Sequence, residues 1–202
     1  MRAIARSGEA LPKYDAVTRL LHGTLAVAVV IDLALLSVMR VPAGPGLGVF
    51  DWHREAFELH CRFGPVVAAL CLLHWLWISL PFARPGIGYL FPWLNRSRHT
   101  ALGREIRELV RGRLPDPRNT SPLVGTVQGL GLCAVSASVI GGTISYLGYF
   151  TPVAVPSAVL HWCALELIVT SYLVWTFVIT HGLMALAHGI STRRRDARLD
   201  AD

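Results

Sequence analysis

Four long apolar segments constrain this chain more than any other feature of its sequence. Each is predominantly apolar over about 20 residues, the length needed to cross the hydrocarbon layer of a membrane. The segments run over about 20–39, 59–82, 122–147 and 158–190. Because hydrocarbon offers no water to the backbone polar groups, each spanning segment must be helical. The sequence therefore predicts an all-α protein, a transmembrane four-helix bundle over residues 1–190 with a basic cytoplasmic tail over 191–202.

The composition also indicates a membrane protein. Hydrophobic residues make up 53% of the chain and charged residues only 16%, whereas soluble domains average about 25% charged residues. The basic residues flank the apolar segments, so they indicate membrane topology, and no nucleic-acid partner is expected. The four cysteines form no C-x-x-C pair and are predicted to be free thiols packed as small apolar side chains.

The distribution of arginine and lysine predicts the orientation of the chain. The two termini and the 84–118 loop together hold sixteen of the 19 basic residues, whereas the first loop holds Arg40 and Arg54, with Arg62 just inside the second segment. Cytoplasmic loops are enriched in these residues, so we expect a multi-pass membrane protein with both termini in the cytoplasm. The 84–118 loop also contains ALGREIRELVRG, whose spacing fits either a helix lying on the membrane surface or a plain cytoplasmic helix.

Histidines are the strongest functional signal. Six of the eight lie in or beside three apolar segments, and ionisable residues at membrane depth indicate function by default. These six are His22, His60, His74, His161, His181 and His188. In the predicted topology, His60 and His161 lie near the outer face and the other four near the inner face. Each face thus has histidines from two segments, as two bis-histidine haems require. Zinc is disfavoured, because no acidic or cysteine ligands lie at zinc-like spacing.

Several stretches of the chain resemble the prokaryotic cytochrome b-561 family. They are YDAVTRLLHGTLAV, LHCRFG, SPLVGTVQGLGL and WTFVITHGLMALAH, and the resemblance extends from about Tyr14 to His188. It implies a bundle in the bacterial inner membrane that binds two b haems and exchanges electrons with ubiquinone or menaquinone. Such a protein acts alone or as the membrane subunit of a periplasmic oxidoreductase, like the cytochrome b subunits of hydrogenase and formate dehydrogenase. The resemblance also allows an enzyme that oxidises superoxide and reduces quinone.

The same resemblance implies which residues bind the haem iron. His22 and His181 match the family's ligands for the inner haem, and His60 matches one ligand of the outer haem. The family pattern places the fourth ligand 14 residues before His181, where this chain has Leu167. We therefore expect His161 to be the fourth ligand. On a straight helix it would lie about 30 Å from His181 and about 200° around the axis, so it requires a distorted helix.

Alternatives to this ligand set remain open. The outer haem could be absent, which would leave one haem, or Gln128 or His53 could replace His161. Asp32, midway along the first segment, is either a proton relay or quinone contact or a neutral carboxyl between helices. A non-redox transporter or scaffold with metal- or proton-binding histidines is the competing function. The chain has no inverted repeat of the transporter type, which disfavours it.

Overall fold

A computed structural model describes residues 14–40, 51–112 and 121–199 of the chain, with side-chain surroundings described for 14–40, 52–112 and 121–186. The described residues form six α-helices and one short 3₁₀ turn, Pro92–Leu94, and contain no β-strand. The helices are α1 (Ala16–Val38), α2 (Asp51–Ile78), α3 (Ile87–Leu90), α4 (Arg96–Val110), α5 (Pro122–Phe150) and α6 (Ser157–Leu199). The predicted all-α class is confirmed.

Four of these helices, α1, α2, α5 and α6, are long and apolar enough to cross a membrane. Only 17% to 28% of the residues in their most apolar windows are buried inside the protein. The remaining apolar side chains therefore face outward, as lipid-facing surfaces do. The transmembrane bundle predicted from the sequence is confirmed. Helix α6 continues to Leu199, into the predicted basic tail, and residues 191–199 contain no proline or glycine that would end it.

The chain divides into two compact units. The first contains the residues up to Leu20 together with Trp75–Leu130. Within it, the Asp15 carboxylate accepts hydrogen bonds from the backbone N–H groups of Thr18, at 2.6 Å, and Arg84, at 2.9 Å. These bonds cap α1 and lower the pKa of Asp15, the Thr18 contact most strongly. Trp77 donates to the Thr18 hydroxyl at 2.9 Å and ties the end of α2 to the same point.

The loop helix α4 fixes the start of α5 in this unit. The Glu105 carboxylate on α4 accepts hydrogen bonds from the Ser121 hydroxyl, at 2.7 Å, and the Leu123 backbone N–H, at 2.9 Å. The apolar residues Ile106 and Val110 of α4 are 45% and 84% exposed. Exposed apolar residues on a basic helix favour the membrane-surface interpretation of this loop.

The second unit contains Leu21–His74 together with the residues from Gly131 onward. Within it, Gly141 on α5 allows the Glu166 side chain of α6 to approach, because a Cβ at Gly141 would overlap a Glu166 carboxylate oxygen. Pro65 lies inside α2 and cannot donate the helical hydrogen bond to the carbonyl of Cys61. All the histidines that the sequence assigns to haem lie in this unit.

Candidate functional site

Three histidine rings from three helices meet within the second unit. The centre of the His22 ring, on α1, lies 6.1 Å from that of His181, on α6, and 6.3 Å from that of His74, on α2. We call these three residues the inner histidine cluster. His74 is buried and its Nδ1 has no hydrogen-bond partner, whereas His22 is exposed and His181 is half-buried.

An aromatic ring supports His181. The Phe177 ring, one turn earlier on α6, stacks on the His181 ring at 5.2 Å between centres and 16° between planes. Gly131 on α5 leaves room for this ring, since a Cβ there would overlap Phe177. The stacking and the close approach of α5 together restrict the orientation of the His181 ring.

The inner histidine cluster fits haem better than a bare metal ion. Two imidazoles that bind one ion from opposite sides at about 2 Å have ring centres about 6 Å apart, and both His22 pairs match this separation. No group of three or more histidine, cysteine, aspartate or glutamate side chains in the described part of the chain is placed to hold a metal ion. Two histidines are nevertheless sufficient when a porphyrin supplies the other ligands.

A separate cavity of about 260 Å³ lies between α1, α2, α5 and α6 of the second unit. We call it the outer cavity. Its walls include His60, Asp32, Ser138 and two glycines, Gly64 and Gly142. A Cβ added at either glycine would meet no atom within 4 Å. The cavity is partly open, so it need not enclose a ligand completely.

Polar groups in the outer cavity are poorly satisfied. His60 Nδ1 lies 2.8 Å from Asp32 Oδ1. The two atoms are close enough to pair but poorly aligned, so neither makes a regular hydrogen bond, and the Ser138 hydroxyl also lacks a partner. Buried polar atoms without partners are rare in proteins and call for an explanation such as a bound group.

The structure does not bring His161 to His60. Helix α6 is a regular α-helix from Ser157 onward, without the distortion that His161 requires. His161 is exposed and packs against Trp162, and it is not among the residues that line the outer cavity. Leu167 does line the cavity.

The other two candidate ligands also lie elsewhere. The His53 ring stacks on Trp52 at 3.5 Å and hydrogen-bonds to the Val38 carbonyl oxygen. The Gln128 amide contacts the Tyr14 hydroxyl at 3.5 Å. Neither residue lines the outer cavity. The side chain of His188 lies outside the described residues.

The approach of His74 to His22 and the pairing of Asp32 with His60 were not predicted. His60 and His74 share one face of α2, since 14 residues amount to nearly four turns. That spacing was the available signal that His74 also points inward. No comparable signal linked Asp32 to His60, because they lie on different helices.

The family model for prokaryotic cytochrome b561 matches residues 13–198. The chain belongs to the prokaryotic cytochrome b561 family. No curated protein and no solved structure matches it. Family membership, together with the four apolar helices, makes this chain a multi-pass bacterial membrane cytochrome that binds haem b and transfers electrons.

Proposed function

We propose that this cytochrome moves electrons between the quinone pool and a redox donor, acceptor or partner subunit on the periplasmic face. The observation that carries the proposal is the pairing of His22 with His181, two imidazoles from separate membrane helices at 6.1 Å between ring centres. Bound haem would supply a one-electron centre inside the membrane. Ubiquinone or menaquinone is the proposed lipid-soluble partner.

The proposed ligands of the inner haem are His22 and His181. Helix α1 supplies the first and α6 the second, and Phe177 restrains the His181 ring. His74 is the third member of the cluster, and its separation from His22 would also suit a ligand pair. We assign it a packing role, because the family pattern pairs the histidines of the first and fourth helices.

The proposed ligand at the outer site is His60. Its cavity contains space beside Gly64, one turn along α2, where a flat ring could approach the backbone. His161 stays a prediction for the fourth ligand, and the regular geometry of α6 does not support it. The number of haems is therefore part of the proposal: one inner haem with two histidine ligands, and one outer haem that depends on His60.

The proposed orientation places both termini and the loop that contains α4 in the cytoplasm. The support is the basic-residue count, because sixteen of the 19 arginines and lysines lie on that side. The inner haem then lies toward the cytoplasm and the outer haem toward the periplasm.

The test uses the purified full-length cytochrome in detergent. We expect a b-type reduced-minus-oxidised spectrum and noncovalent haem that an organic solvent extracts. Anaerobic addition of a short-chain ubiquinol or menaquinol should reduce part of the haem. A colourless protein would contradict the haem assignment, and haem that dithionite reduces but neither quinol reduces would contradict the quinone assignment.

A further inference from the structure

The outer cavity is lined by one histidine, whereas the inner cluster contains three. His60 is the one histidine among the described residues that line the cavity. Helix α6 contributes Leu167, Ser171 and Val174 to the wall. The Ser171 hydroxyl donates a hydrogen bond to the Leu167 carbonyl oxygen at 2.5 Å, so its proton is already used. The α6 wall therefore presents no imidazole, thioether or thiolate to the cavity.

Asp32 prepares His60 for coordination through its other nitrogen. The carboxylate lies 2.8 Å from Nδ1, which leaves Nε2 as the ring nitrogen available to a metal. Histidines that bind metals commonly donate their second N–H to a carboxylate, which fixes the tautomer and raises the basicity of the ligand.

The cavity also contains open space beside two glycines, one of them on the same helix as His60. Gly64 lies one turn further along α2, and Gly142 lies on the facing helix α5. Both line the cavity, and a side chain at either position would extend into open space. A macrocycle that coordinates His60 could therefore contact the backbone at these two points.

We propose that His60 is the only protein ligand of a haem in the outer cavity, and that the second axial position of its iron is open to a small uncharged diatomic ligand. This inference rests on the haem chemistry of the proposed function. It gives the two haems different roles: the inner iron has two protein ligands, whereas the outer iron can bind a molecule from outside the protein. Polarity and access on the open side of a haem determine what it binds.

Two other lining residues could compete for the open position. Met39 lies just past the end of α1, and Cys61 follows His60 on α2. Cys61 projects about 100° around the helix from His60, so the two side chains cannot approach one iron from opposite sides. Met39 is the real competitor, because a histidine–methionine pair is a known haem ligand set.

Carbon monoxide tests the proposal on the full-length cytochrome. The dithionite-reduced protein should bind one carbon monoxide per two haems, and the oxidised protein should show one high-spin and one low-spin haem in electron paramagnetic resonance. Two low-spin haems without carbon monoxide binding would overturn the inference, as would a single haem per chain. A protein without any haem would instead overturn the proposed function.

Substitution of Leu167 tests whether residue 167 of α6 faces the proposed open position of the iron. Leu167→His should supply the missing imidazole, abolish carbon monoxide binding and convert the high-spin signal to low-spin. Ile168→His is the matched control: Ile168 is 57% exposed and does not line the cavity, so this variant should behave like the wild type. Carbon monoxide binding that survives Leu167→His in a folded protein would overturn the assignment.

Met39→Leu keeps the inference testable if Leu167→His does not accumulate. We expect this variant to keep the high-spin signal and the carbon monoxide stoichiometry of the wild type. If Met39→Leu showed a larger high-spin signal or bound more carbon monoxide than the wild type, Met39 would have occupied the open position. That result would overturn the proposal.

Discussion

The inner histidine cluster and the outer cavity are built from the same helices and differ chiefly in what α6 contributes. Helix α2 supplies a histidine to each, His74 to the cluster and His60 to the cavity. Helix α6 supplies His181 to the first and Leu167 to the second. One bundle can therefore carry two sites of different chemistry when a single helix changes residue type along its length.

The two sites also differ in how tightly they are packed. At the inner site, Phe177 fills the space beside His181 and presses against Gly131. At the outer site, Gly64 and Gly142 border open space. Packing that restrains a ligand suits electron transfer, which needs little rearrangement at the metal, whereas open space suits a site that admits a second molecule.

Removal of a proposed inner ligand is the most severe way to test this contrast. His22→Ala and His181→Ala should each eliminate the inner low-spin haem, because each removes one of its two proposed ligands. The measurements are haem content per chain and the low-spin resonance. His99→Ala, on the loop helix α4, is the control, and it should change neither. If His74→Ala rather than His181→Ala eliminated the haem, the second ligand would come from α2.

A smaller disturbance should follow from Gly131→Ala. The new methyl group would overlap the Phe177 ring, and overpacking of this kind costs about 1–3 kcal/mol. Unfolding by SDS titration in detergent should show the loss. Gly103→Ala on α4 is the control, because its methyl group meets no atom within 4 Å and it lies in neither site. Equal losses of stability in the two variants would contradict the tight packing assigned to Gly131.

Deletion of the ring beside His181 should have a more local effect. Phe177→Leu removes a stacked aromatic pair, an interaction that contributes about 0.5–1.5 kcal/mol. We expect a broader inner low-spin resonance, because the His181 ring gains freedom, and unchanged carbon monoxide binding at the outer site. A change in carbon monoxide binding would show that the two sites are coupled through α6.

The smallest effect concerns acid sensitivity outside both sites. Hydrogen bonds from the Thr18 and Arg84 backbones lower the pKa of Asp15 below its ordinary value. Its ionised form therefore adds stability above about pH 4, the pKa in an unfolded chain, and the contribution is lost as the pH falls through the lower folded pKa. Asp15→Asn should remove this dependence, so thermal melts of the two proteins should converge under strong acid. Melts separated by a constant interval at every pH would contradict it.

Part of this architecture could be predicted from residue patterns alone. Hydropathy located the four membrane helices, because a segment in hydrocarbon must make its backbone hydrogen bonds internally and therefore becomes helical. The resemblance to the family indicated His22 and His181, and the structure brings them together. The pairing of Asp32 with His60 could not be predicted, because it depends on the relative depth and rotation of α1 and α2, which no local pattern encodes. The regularity of α6 through His161 likewise depends on the absence of any bulge, which residue types do not reveal.

The unbroken course of α6 has a mechanical consequence. The apolar segment predicted from the sequence ends at about residue 190 and the helix itself at Leu199, so about 14 Å of helix extends beyond the segment at 1.5 Å per residue. His181 lies near the base of that extension, with no hinge in between. A partner protein that tilts the arginine-rich end of α6 would therefore also shift the helix at His181, a member of the inner histidine cluster.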